Sequence, residues 1–167
     1  MSRSLGRTLN DELRVRLSGE DLSRWANKVI LIVTVDEHGR PHPAMLSYFE
    51  LVMKDPHNIR MAMFKNSNTT EYIRRNGKAT ISIIDERLAY YIKGNARELR
   101  REMRCAPHNS KLNLEIEAVL ADAANEELEP GAYVSSGVTY RSLNLNEQLL
   151  KAKEILDELL LDEHYEG

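Results

Sequence analysis

A single cysteine, one tryptophan and two phenylalanines stand in 167 residues. One thiol, Cys105, can form no internal disulfide and excludes a metal site built from several thiolates, so it reads as a passive side chain. Charge of one sign is also missing: 23 basic against 26 acidic residues leave a formal −3. No strong field therefore recruits nucleic acid or an anionic membrane. The longest apolar run, Val29 to Val33, resumed at Val35 after Thr34, is far too short to cross a bilayer. The first residues are polar (Arg3, Arg7, Asn10, Asp11, Glu12) and lack the apolar centre of a signal peptide. The expectation is a cytoplasmic protein with neither membrane nor nucleic-acid partner. There is no repeat, no low-complexity linker and no alternation of strand and helix of the parallel-sheet kind. The length suits one domain over 1–167, with a helical segment at 1–27, a barrel at 28–141 and a helix at 144–161.

The chain is organised around residues 59–84. Ile59, Met61 and Met63 alternate with Arg60 and Ala62, the period of a strand, and Ala79 to Ile84 is a second β-rich run. Between them Ser67 or Asn68 can cap a short helix that Asn76-Gly77 stops. A strand that ends in Ser-Asn-Thr-Thr at a helix start offers hydroxyls and free N–H groups together, a combination that holds phosphate. Ordinary capping is the plainer reading of those four residues.

Upstream, Leu9, Leu13 and Leu17 recur at helical spacing, and Ser18 with Asp21 makes a weak capping box before Leu22 and Trp25, predicting one or two short helices. Trp25 reads as a packing residue. Val29–Val35, apolar on both faces, predicts a central strand. Asp36-Glu37-His38-Gly39 is a hairpin turn, and Arg40–Met53 is the returning strand, edged or bent where Pro41 and Pro43 remove donors. Downstream, Ala89–Arg97 predicts a strand in which Gly94 and Ala96 permit close backbone approach. Arg97–Arg104 could be helix or strand; its interleaved glutamates suggest a solvated face. Leu112, Leu114, Ile116, Ala118 and Leu120 alternate strictly, and Val134–Tyr140 predicts a short last strand. Leu145, Leu149, Ala152, Leu156 and Leu159 form the seam of a C-terminal helix opened by Asn144 and Glu147, to be buried against this chain's core or a partner. Hairpin-linked strands with one inserted helix and helices at both ends predict a mainly β fold with flanking helices, a small antiparallel barrel.

The runs VILIVTVDEHGRPHPA, FKNSNTTEYIRRNGKA and YYIKGNA, in that order and spacing, resemble the pyridoxamine 5′-phosphate oxidase-like family of FMN-binding split barrels over roughly residues 25 to 125. The resemblance implies a six-stranded antiparallel split β-barrel, a homodimer, and FMN in each of two interface clefts. It implies that Ala44, Met45, Leu46 and Ser47 pass the flavin ring and that Phe64, Lys65 and Asn66 close the second strand beside it. Ser67, Asn68 and Thr69 fall where the family carries a phosphate-binding Ser-Arg-Lys, with Thr70 adding a hydroxyl. The sequence departs from the pattern: Asn68 and Thr69 replace the two cations, and Ala44 stands where the oxidases themselves carry an arginine. Lys65 is the replacement cation. With no match to the oxidase's C-terminal substrate-binding segment, the departures argue against pyridoxamine phosphate oxidation itself; the resemblance implies an FMN-dependent reductase or oxidase acting on another small molecule. The alternative is a cofactor-free or haem-binding split-barrel dimer acting as a binding or regulatory module, with His42 or His108 as axial ligand.

Other chemistries find less support. His38, His42 and His57 lie in or near turns, and Gly39 with Pro41 between two of them does not hold a rigid ligand set for a metal. Ser47, Ser135 and Ser136 lack a Ser-His-Asp context. No residue stands out as proton donor or nucleophile.

Overall fold

The computed structural model describes residues 1–162, so the last five residues of the expected 1–167 domain lie outside the described residues. Two short helices, α1 (Asp11–Arg16) and α2 (Leu22–Trp25), follow a two-residue strand β1 (Arg3–Ser4). The strands β2 (Val29–Val35), β3 (Pro41–Ser47), β4 (Leu51–Asp55) and β5 (Asn58–Phe64) lead to helix α3 (Asn68–Asn76). Then come β6 (Lys78–Asp85), β7 (Leu88–Arg100), β8 (Asn109–Ala121) and helix α4 (Leu145–Leu160). Every pairing is antiparallel, in the order β3-β2-β6-β7-β8-β5-β4, with β1 beside β8.

The sheet curls around a core supplied by period-2 positions. Ile30, Ile32, Ile59, Met61, Ile81, Ile83, Ile92, Leu112, Leu114 and Val119 are buried on its inner face, with Leu9, Leu13 and Leu17 of the N-terminal segment covering one end. Two register shifts in β7, at Lys93/Gly94 and Glu98/Arg100, bend it across β8. At the first, Gly94 lies against the backbone of Glu115, the close approach expected of it.

Among the described residues the strands number eight rather than six. One addition is β1; another arises because the predicted strand Arg40–Met53 is two strands. Tyr48, Phe49 and Glu50 turn between them; the Glu50 N–H donates to Ser47 O at 3.1 Å, and the Glu50 carboxylate braces the turn by accepting the Ser47 N–H at 2.6 Å and the Ser47 hydroxyl at 3.1 Å. The predicted strand Val134–Tyr140 is instead an extended strap with one isolated bridge, Lys28 to Thr139. Its Tyr140 N–H donates to Asn27 O, while the Val29 N–H donates to Val138 O. The sheet offers no continuous edge there, because β3 and β6 already flank Leu31–Val33. Arg97–Arg104 resolves as the end of β7 followed by a turn.

The α4 seam closes this chain's own core. Ala152, Leu156 and Leu159 pack on Val52 and Ala62, on the face of β4–β5 opposite the barrel interior, together with Met103 and Ala106. Burying each leucine is worth about 1.5–3 kcal/mol. The helix C-terminus is gripped by cations: fully buried Lys111 donates to Glu158 O (2.9 Å) and Leu161 O (2.7 Å), and Lys54 donates to Leu160 O (2.7 Å). Free carbonyls at a helix end carry partial negative charge, which favours lysines placed beside them. Asn144 starts the helix but makes no side-chain cap.

Candidate functional site

A cavity of about 480 Å³ opens between the end of β3, the turn after it and α4. β3 contributes Met45, Leu46 and Ser47; the turn contributes Phe49 and Glu50; α4 contributes Gln148, Lys151, Ala152 and Ile155. This volume suits a small ligand, and apolar walls with few polar groups are what such sites have. Met45 projects outward and is 71% exposed, whereas Leu46 is buried, because alternation along β3 turns one toward the mouth and the other toward the core. Of the four residues expected along the ring, Ala44 is the one that does not line the cavity; it packs against the barrel core.

The second half of the expected site lies at the end of β5. Asn109, which lines the cavity, is the register partner of Phe64, and the Lys65 N–H donates to His108 O. Phe64 is 54% exposed beside that wall. The chain then turns into α3 through Lys65, Asn66 and Ser67. Ser67 is the N-cap: its hydroxyl accepts the Thr70 N–H at 3.2 Å and donates to the Thr70 hydroxyl, which donates in turn to Phe64 O at 2.9 Å. Thr69 and Thr70 are buried. The capping reading thus describes Ser67 and Thr70 as they stand. The Asn68 and Thr69 N–H groups keep the free positions that every helix start has.

Lys65 pairs with Glu102, which is well exposed and whose carboxyl this ammonium holds below the ordinary range. Exposed ion pairs are worth little, so an anion with more charge can displace the glutamate. Sequence reasoning missed Arg74. From the last turn of α3 its guanidinium donates to Lys65 O at 2.9 Å, ion-pairs with Glu98 and reaches the buried Ser110 hydroxyl at 3.3 Å. It fixes the turn that carries Lys65. The Arg-Arg pair before Asn76 was the available signal, since Arg74 lies four residues after Thr70 on the same helix face.

The other candidates are placed elsewhere. His42 packs edge-on against Tyr72, with ring centroids 5.1 Å apart. Cys105 is pushed up to about 11 by burial and by the neighbouring Glu158, which leaves it a thiol at neutral pH. Among the described residues no group of three His, Cys, Asp or Glu is placed to hold a metal ion, and no helix is long and apolar enough to cross a membrane.

No family model matches the sequence. An uncharacterized protein of Bacillus subtilis, YclD, is 29% identical over 155 residues, which is 90% of this chain and 95% of that one. Among solved structures, a protein of Lactobacillus delbrueckii provisionally named a pyridoxamine 5′-phosphate oxidase superposes with a TM-score of 0.55 at 20% identity, covering 70% of this chain and 98% of its own. This chain has the pyridoxamine 5′-phosphate oxidase-like split-barrel fold. HupZ of Group A Streptococcus shares it, with a TM-score of 0.53 at 16% identity over 80% of this chain and 99% of that one. At such identities the likeness carries the split-barrel architecture, and the chemistry rests on the residues of this chain.

Proposed function

We propose that the protein is a flavoprotein that binds FMN with its ring along Ala44–Ser47 and its phosphate at the start of α3, and that it acts as an oxidoreductase on a small molecule. The observation that carries this reading is the continuity of the cavity wall with the helix start. Met45, Leu46 and Ser47 line one side, and Asn109 leads through its partner Phe64 to Lys65 and the N–H groups of Asn68 and Thr69. The residues present fit the group: a helix start and one displaceable lysine for the phosphate, and an apolar strand for the ring. A bound flavin would carry the electrons, while the chain supplies position and access.

Ser67→Ala removes a cap as well as a candidate phosphate neighbour, so it should cost about 1 kcal/mol of stability and weaken FMN. Lys65→Ala should weaken FMN by about tenfold and flatten the salt dependence of binding, because a point charge is screened by salt. Riboflavin, which lacks the phosphate, should bind both variants as it binds the parent. Unchanged FMN affinity in both variants would place the phosphate elsewhere. The cofactor-free reading is favoured by one observation, the commitment of the Ser67 and Thr70 hydroxyls to the cap; a colourless protein that takes up no flavin would establish it.

In this reading the protein is a cytoplasmic homodimer. The support is the outer face of the sheet, where Leu31, Val33 and Val35 stand half-buried opposite Met45, Pro43 and Pro41. A central strand predicted to be covered on both faces is thus covered on one within the chain. Sedimentation should give a dimer, and Val33→Glu should give a folded monomer. A parent that is monomeric across micromolar concentrations would contradict this.

A further inference from the structure

The Glu50 carboxylate has work left over. Its Oε2 takes both hydrogen bonds from Ser47, whereas Oε1 has no hydrogen-bond partner and Glu50 has no ion pair among the described residues. The residue lines the α4-covered cavity, and burial pushes its carboxyl up against the lowering effect of the two Ser47 bonds. The lysine that lines the cavity among the described residues does not answer it. Lys151 Nζ is turned to Cys105 O and to Glu154 at 3.2 Å. Around Glu50 stand Phe49, Met45 and Ile155, flat or flexible apolar surface.

We propose that Glu50 is the recognition group of a subsite for a small, flat, cationic molecule, an amidine, an amine or a protonated nitrogen heterocycle, whose N–H group donates to Oε1. The proposal deepens the function proposed above, since it makes the α4 side of the cavity the place of the second reactant beside the flavin ring. A partly buried carboxylate in a mainly apolar cavity, with one accessible and unpartnered oxygen, gains most from a ligand that brings both a proton donor and a positive charge. An apolar wall selects the flat body; the open oxygen selects the charge.

The probe is benzamidine, with its anionic counterpart benzoate, titrated calorimetrically against the full chain and against Glu50→Gln. Glutamine keeps an oxygen for both Ser47 donors and removes the charge, so the variant should melt no lower than the parent at neutral pH. Benzamidine should bind the parent, bind Glu50→Gln at least about tenfold more weakly, and outcompete benzoate on the parent. FMN uptake by the parent is measured in parallel. Absent benzamidine binding, or equal binding to parent and variant, overturns the subsite while leaving an FMN-binding parent intact. Glu50-dependent benzamidine binding to a parent that takes up no FMN keeps the subsite and overturns the flavoprotein reading.

Discussion

Asp85→Ala should lower the unfolding free energy by about 3 kcal/mol or more. Asp85 ends β6 and is buried with two cations on one oxygen, Arg16 at 3.0 Å and Lys28 at 2.5 Å. The Arg16 guanidinium also donates to the Tyr48 hydroxyl and lies 4.7 Å from the centre of the Trp25 ring, which stacks on Tyr48. One carboxylate therefore ties α1, α2 and the start of β2 to the barrel. Removing it strands a mostly buried guanidinium, and an uncompensated buried charge costs more than the pair was worth. A denaturant titration should show a lower midpoint with an unchanged slope, as expected for a change in stability alone.

The same group sets a pH dependence. Burial pushes the Asp85 carboxyl up, but Lys28, the Glu86 N–H and Arg16 outweigh it and hold it at about 2, below the ordinary 3.8. A depressed folded-state value means that stability is fully present above the unfolded value and is lost as pH falls through the folded one. The parent should lose about 2 kcal/mol between roughly pH 4 and pH 2 on this account, and Asp85→Ala should lack that share of the acid loss. An acid profile identical in the two proteins would contradict it.

Gly94→Ala should be nearly as damaging, at about 3 kcal/mol, for a steric reason. A Cβ at Gly94 would lie 2.1 Å from Glu115 O and 3.1 Å from the Leu114 side chain. The oxygen belongs to the β8 backbone, so relief requires moving a strand paired on both sides, to β7 and β5. Loss of amide exchange protection confined to β7 and β8, with a lowered midpoint, is the expected signature. A variant as stable as the parent would mean that the bulge can relax.

Much of this fold was legible in the sequence where one physical signal dominated. Strict alternation over Leu112–Leu120 marked β8, and Ser67 before Thr70 marked the helix start. What could not be read depended on partners distant in sequence. The break between β3 and β4 has no Gly or Pro; Tyr48 and Phe49 read as strand, and the turn is closed by the Glu50 N–H on Ser47 O and braced by the Glu50 carboxylate on Ser47. Lys111 and Asn113 fall between the alternating apolar positions of β8 yet are buried, and Lys111 reaches the carbonyls at the end of α4. The α4 seam announced burial without naming its partner, and only its contact with Val52 and Ala62 reveals the cavity that it closes. The candidate site was therefore half visible: β3 and the start of α3 from sequence, the Glu50 turn and the α4 wall from the structure.

The most direct test is a parallel titration of the full chain with FMN and with riboflavin, followed by quenching of flavin fluorescence. Binding of one FMN per chain, at least about tenfold tighter than riboflavin and weakened by salt, is the predicted result, since a phosphate held by Lys65 and helix N–H groups is what separates the two ligands. Equal affinity for the two would contradict the phosphate site at the start of α3, and no uptake of either would contradict the flavoprotein itself.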